Sequence, residues 1–101
     1  MRITAFEKET IINEVKTIFG PGASVYLFGS RVNNMTLGGD LDLFISPISS
    51  ANPKALYDSK ISLSAALKLK LGDQKIDILV KYPNDNRSII HTASEQGILL
   101  C

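Results

Sequence analysis

Two aspartates flank a leucine at the start of an apolar run, and this arrangement constrains the fold more than any other feature of the sequence. Asp40 and Asp42 are separated by Leu41, and Leu43 follows. Side chains alternate between the two faces of a strand, so both carboxylates lie on one face of the predicted strand and both leucines on the other. Neighbouring carboxylates repel each other and are costly to desolvate. The pair therefore predicts either a bound cation or an exposed rim of a sheet.

A hard divalent ion is the cation that best suits this pair. Mg²⁺ characteristically takes one or two protein carboxylates together with substrate phosphates. An isolated Asp-x-Asp pair is more typical of a solvated boundary between a loop and a strand. The choice between the two interpretations depends on the surrounding elements.

Strands are predicted where a short segment is rich in β-branched and aromatic residues and is bounded by glycine or proline. Helices are predicted where apolar residues recur at helical spacing. The predicted strands are Ser24–Phe28, Leu41–Ile45 and Lys75–Val80. The predicted helices are Ala5–Phe19, Pro53–Leu71 and Arg87–Gln96.

Local signals mark the ends of these helices. Thr4 and Glu7 fit a capping box at the first helix, and Asn86 is a candidate cap for the last one. Residues 53–71 also alternate as a strand would, but the segment is too long for an ordinary strand, and it consists mainly of Leu, Ala and Lys, which favours a helix.

The order α, β, turn or short helix, β, α, β, α predicts an α/β (α+β) fold with a small, mixed, three-stranded sheet and helices packed on it. With 101 residues, 45% of them hydrophobic, we expect one globular domain spanning residues 1–101. A formal net charge of +1 does not suggest a nucleic acid partner. No apolar segment is long enough to cross a bilayer, so we expect a cytoplasmic protein without a membrane partner.

Asp77 provides a third carboxylate, near the start of another apolar strand. If both Asp-bearing strands start at the same edge of the sheet, they are parallel, and the helix between them is a right-handed crossover. An antiparallel first strand would bring Gly29 and Ser30 to that edge. Glycine allows close approach of a phosphate, while the Ser30 hydroxyl and Arg31 can bind its oxygens. The alternatives are an edge-strand surface residue for Asp77, a helix cap for Ser30 and a solvated side chain for Arg31.

These motifs together resemble a known family. Leu27-Phe28-Gly29-Ser30, nine intervening residues and Asp40-Leu41-Asp42-Leu43 match the signature of the polymerase-beta-like nucleotidyltransferases, and Ile76-Asp77-Ile78 resembles the strand with their third carboxylate. The short length is similar to that of the minimal nucleotidyltransferases, many of which are antitoxins of HEPN/MNT toxin–antitoxin pairs.

The resemblance implies the nucleotidyltransferase fold and a Mg²⁺-dependent transfer of AMP from ATP to a tyrosine of a HEPN-type toxin. It also implies that Asp40 and Asp42 hold two Mg²⁺ ions, with Asp77 on the second metal or acting as base. Gly29, Ser30 and Arg31 would bind the nucleotide.

A non-catalytic role is the alternative to this enzyme. The chain could neutralise a partner by covering it, with a residual nucleotide site and with the apolar segment Ile98-Leu99-Leu100 supplying part of the interface. So small a domain has no room for a separate acceptor-binding domain. We therefore expect a protein partner or a homo-oligomer.

Overall fold

A computed structural model of the chain describes residues 3–29, 40–47 and 52–101. In chain order, the helices and strands of this part are α1 (Ala5–Phe19), β1 (Ser24–Phe28), β2 (Leu41–Ser46), α2 (Pro53–Leu71), β3 (Ile76–Val80), α3 (Ser88–Gln96) and β4 (Ile98–Leu99). All six predicted elements are present. The turn or short helix predicted after β1 lies outside the described residues.

Side-chain caps stabilise the starts of the first two helices. The backbone N–H of Glu7 donates to the Thr4 hydroxyl, and the Glu7 carboxylate accepts from the Thr4 N–H, which confirms the predicted capping box. At α2, the Asn52 side chain accepts a hydrogen bond from the Ala55 N–H, and Pro53 occupies the first turn.

The predicted Asn86 cap on α3 is wrong. Arg87 holds the cap position without a side-chain cap bond, and the helix begins at Ser88. Asp85 organises this turn instead, because its carboxylate accepts hydrogen bonds from the backbone N–H groups of Tyr82 and Arg87 and from the Arg87 guanidinium. The guanidinium also donates to the Val80 carbonyl, which ties the turn to the end of β3.

The sheet is mixed, as predicted, but in the described part of the chain it has four strands in the order β3-β2-β1-β4 instead of three. Strand β2 pairs antiparallel with β1 and parallel with β3, while β4 pairs antiparallel with β1. The additional strand comprises Ile98 and Leu99 only. A two-residue strand is too short for its residue pattern to predict, and here it forms because α3 returns the chain to the free edge of β1.

Helices cover both faces of the sheet. Helices α1 and α2 pack against each other and over the larger part of the core, and Lys70 of α2 forms a salt bridge with Glu14 of α1. The buried residues of this face include Ile11, Val15, Val25, Leu27, Leu41, Leu43, Ile45, Leu63, Leu67 and Val80. On the opposite face α3 buries Ile90 and Ala93 against Phe44, with Tyr26, Phe28 and Leu79 packed around them.

Within the described ranges, no helix combines the length and apolarity that a membrane span requires.

Candidate active site at one end of the sheet

Three strands meet at one end of the sheet and bring the predicted site residues together there. In the strand register, Phe28 of β1 is opposite Asp42 of β2, which is in turn opposite Asp77 of β3. Gly29 directly follows Phe28, and Asp40 directly precedes β2. Strand β2 is antiparallel to β1 and parallel to β3. The end of β1 therefore lies at the same end of the sheet as the starts of β2 and β3. The predicted convergence of Gly29, Asp42 and Asp77 is confirmed.

The carboxylates lie on the face of the sheet that carries α3. Asp42 alternates with Leu41 and Leu43, whose side chains are completely buried in the core beneath α1 and α2. Two residues further along β2, Phe44 packs against α3 on the other face. Asp42 shares that face by the period of two, and Asp40 does so as well. Helix α3 covers Phe44 but leaves Asp42 half-buried and Asp77 exposed.

Gly29 and Asp42 are packed so closely that no larger residue fits at position 29. Gly29 has a φ of +75°, which side-chain-bearing residues rarely adopt. A Cβ atom there would lie 2.2 Å from Asp42 Oδ2 and 3.0 Å from its Cγ. The sequence suggested glycine for the approach of a phosphate. In the structure, the position already requires glycine because the Asp42 carboxylate occupies the space.

The environment of Asp42 disfavours its ionised form. Partial burial raises the pKa of the Asp42 carboxyl above its usual value, and the neighbouring charges of Asp77 and Asp40 raise it further. A hydrogen bond between the Asp42 and Asp77 side chains acts in the same direction, while the positive charge of Lys75 acts against it. The site therefore holds negative charge that a cation would stabilise.

Lys75 is a site residue that the sequence reasoning missed. Its Nζ lies 3.3 Å from Asp40 Oδ2. The Leu41 N–H donates to the Lys75 carbonyl at 3.0 Å, which extends the pairing of β2 with β3 by one step and places Lys75 beside Asp40. The available signal was its position two residues before Asp77, on the same side of an extended chain.

Two further predicted nucleotide-binding residues, Ser30 and Arg31, lie outside the described part of the chain. Their predicted roles stay predictions.

Comparison with known proteins identifies the family of this fold. The profile of the nucleotidyltransferase domain matches residues 8–100, which is nearly the whole chain. The chain belongs to the nucleotidyltransferase family. This confirms the resemblance that the Gly-Ser and Asp-x-Asp motifs indicated.

A solved structure has a similar fold. The present chain superposes with a TM-score of 0.63 on a chain from the crystal structure of a mutant of the toxin–antitoxin pair MntA–HpeT. The two chains share 18% sequence identity. The match covers 93% of this chain and 72% of the other. At this identity the likeness establishes the nucleotidyltransferase fold. A search of curated proteins found no match.

The family implies a divalent metal ion, and the residues of this nucleotidyltransferase partly fit one. The carboxylate of Asp77 lies close enough to that of Asp42 to raise the pKa of Asp42. Carboxylate oxygens such as these are the ligands that Mg²⁺ prefers. Asp40 is paired with Lys75. In residues 3–29, 40–47 and 52–101, no three His, Cys, Asp or Glu side chains are grouped as a ready metal site. Asp42 and Asp77 would be the carboxylates to hold such an ion, and Asp40 would join them if it leaves Lys75.

Proposed function

We propose that this nucleotidyltransferase transfers AMP from ATP to a hydroxyl group of a protein partner and thereby acts as an antitoxin. The observation that carries the proposal is the row Phe28, Asp42, Asp77 across three strands, with Gly29 against Asp42 and Asp40 at the rim. A family match over residues 8–100 supports the reaction type. Similarity to a chain of a toxin–antitoxin complex supports a toxin as the partner.

In the proposed reaction, the oxygen of the acceptor hydroxyl attacks the α-phosphorus of ATP. A new bond forms between them, the bond from the α-phosphorus to the bridging oxygen breaks, and pyrophosphate leaves. Asp40, Asp42 and Asp77 would hold up to two Mg²⁺ ions, which neutralise the triphosphate and lower the pKa of the acceptor hydroxyl. Asp77, exposed at the edge strand, can also accept the hydroxyl proton.

Each described residue contributes to this reaction by position. Gly29 leaves the space in which the Asp42 carboxylate lies. Burial and the neighbouring carboxylates destabilise ionised Asp42 without a cation, so binding of a metal ion relieves that repulsion. Ser30 and Arg31, from the same motif, are proposed to bind phosphate oxygens. Most of the acceleration would come from positioning and charge neutralisation.

The test uses ATP labelled at the α-phosphate, Mg²⁺ and the product of the neighbouring gene as the candidate partner. We expect label on the partner with the unmodified chain, and a loss of at least about a hundredfold in rate with Asp42→Asn or Asp77→Asn. ATP labelled at the γ-phosphate should leave the partner unlabelled, which separates nucleotidyl from phosphoryl transfer.

Asp73→Asn is the matched control, because Asp73 is an exposed residue between α2 and β3. It should retain transfer. Label on the partner that persists in both site variants would contradict the proposed site.

Neutralisation by covering is the other candidate function. Its sequence argument is weakened, since Leu100 is buried and Ile98 is half-buried, which leaves Leu99 as the exposed residue of that segment. The combined variant Asp40→Asn, Asp42→Asn decides between them. If it still neutralises the toxin fully, the antitoxin acts by binding.

A further inference from the structure

We infer that Lys75 is the built-in counter-cation of the carboxylate site, paired with Asp40 until a divalent ion displaces it and then free to bind a phosphate oxygen of the nucleotide. This inference rests on the proposed function, because it requires a metal ion and a nucleoside triphosphate at the same site. It adds a substrate-positioning residue that the Gly-Ser and Asp-x-Asp motifs do not contain.

The backbone fixes Lys75 beside the site. Its carbonyl accepts a hydrogen bond from the Leu41 N–H, one step before β2 and β3 pair in parallel. From this position the Nζ lies 3.3 Å from Asp40 Oδ2. Lys75 and Asp77 share a side of the chain by the period of two, so the lysine side chain begins on the side of the sheet that carries the carboxylates.

All three aspartates act on this ammonium group. Hydrogen bonding and charge from Asp40 are the main causes that raise the pKa of Lys75, and Asp77 and Asp42 add to the effect. Conversely, the charge of Lys75 lowers the pKa of Asp42. The direct contact among these is the ion pair with Asp40.

The ion pair is suited to exchange. The Lys75 side chain is 70% exposed and that of Asp40 is 42% exposed, and such solvated pairs contribute little stability. A divalent ion carries twice the charge of an ammonium group and competes for the same oxygen. After displacement, the long and flexible lysine side chain remains within reach of the phosphates that accompany the metal.

Binding measurements on Lys75→Gln test the inference. Without nucleotide, we expect this variant to bind Mn²⁺ about three- to tenfold more tightly, because a competing positive charge has been removed. The complex of Mn²⁺ with a non-hydrolysable ATP analogue should bind more weakly, by a similar factor. Calorimetric titration measures both affinities, and opposite signs for the two are the distinguishing result. Lys75→Arg keeps the charge and should shift both affinities less.

Lys81→Gln is the matched control. Lys81 is exposed and follows β3 at its other end, so its substitution removes the same charge from the far end of the same strand. Its effect on both affinities should stay below about twofold in physiological salt. Thermal unfolding of each variant establishes that it is folded.

The outcomes separate this inference from the proposed function. If the unmodified chain binds neither Mn²⁺ nor the metal–nucleotide complex, the proposed function fails and the inference fails with it. The unmodified chain could instead bind both ligands while Lys75→Gln has the same affinities as Lys81→Gln, or while Lys75→Gln binds Mn²⁺ without nucleotide more weakly. In either case the inference is wrong and the proposed function stands.

Discussion

Gly29 is the residue at which the backbone and the site depend most directly on each other. Its positive φ disfavours a side chain at this position, and a Cβ atom added there would lie 2.2 Å from the Asp42 carboxylate. Both features exclude a larger residue. Turning the carboxylate aside would not relieve the clash fully, since Asp42 Cβ would itself be 3.3 Å away. A side chain at position 29 therefore displaces Asp42 from the site.

We predict that Gly29→Ala lowers both the rate of nucleotidyl transfer, by at least about tenfold, and the free energy of unfolding. The matched control is Gly72→Ala, because Gly72 has a φ of +85° and open space where the Cβ would lie. The control should lose about 1 to 3 kcal/mol of unfolding free energy from backbone strain alone. Denaturant unfolding measures both losses.

Gly29→Ala should lose more unfolding free energy than the control Gly72→Ala. This difference should become smaller when Asp42 is first replaced by alanine, since the clashing carboxylate is then absent. Equal losses for Gly29→Ala in both backgrounds would contradict a steric origin.

Asp42 makes stability depend on pH in the metal-free protein. Its raised pKa means that the folded state holds this proton more strongly than the unfolded state. The stabilisation is fully present below the unfolded pKa, near 3.8, and is lost as pH rises through the folded pKa. At neutral pH the cost of ionising Asp42 in the folded state thus opposes folding.

We therefore predict that Asp42→Asn melts at a higher temperature than the unmodified chain at pH 7 in a chelator, although we expect it to lose transfer activity. The difference should decrease as pH falls toward 4. Melting curves across this pH range measure it, and a variant that is less stable than the unmodified chain at pH 7 would contradict the assigned cause.

Helix α3 is the element that supports the site face of the sheet. It buries Ile90 and Ala93 against Phe44, two residues along β2 from Asp42. The adjacent Ile89 is 49% exposed. The two isoleucines thus differ mainly in burial.

Ile90→Ala should lower the free energy of unfolding by about 2 to 4 kcal/mol, because it removes buried methyl groups and leaves a cavity. Ile89→Ala should change it by less than about 1 kcal/mol. Denaturant titration of both variants tests whether α3 is packed in this way. Equal losses of unfolding free energy for the two variants would contradict the packing of Ile90 against the sheet.

For the whole molecule, a divalent ion and nucleotide should stabilise the folded state. Only the folded chain brings Asp42 and Asp77 together, so binding shifts the unfolding equilibrium by mass action. At a ligand concentration of a hundred times the dissociation constant, the gain is about 2.7 kcal/mol. We expect Mg²⁺ with ATP to raise the melting temperature, and a chelator to reverse the rise.

The variant Asp42→Asn, Asp77→Asn should show no such shift. A rise in its melting temperature as large as that of the unmodified chain would place the ligand elsewhere.

The sequence by itself determined the local elements and identified residues that the sheet brings together at one end, Gly29, Asp42 and Asp77. Periodicity and end signals predicted three helices and three strands, because burial of one face and capping leave local patterns. The choice of helix for residues 53–71 is confirmed by α2. The Asp-x-Asp spacing indicated one face for both carboxylates, since alternation is a property of the strand itself.

Tertiary structure decided what depends on residues distant in sequence. Strand β4 exists because α3 returns the chain to the edge of β1, and the contact between Gly29 and Asp42 depends on the antiparallel register of β1 and β2. Likewise, the pairing of Lys75 with Asp40 requires β3 to align beside β2. Local patterns carry no record of register, so the contact that requires glycine at position 29 could not be predicted from the sequence. The position of Lys75 two residues before Asp77 was a local signal, but its partner Asp40 was decided by the register.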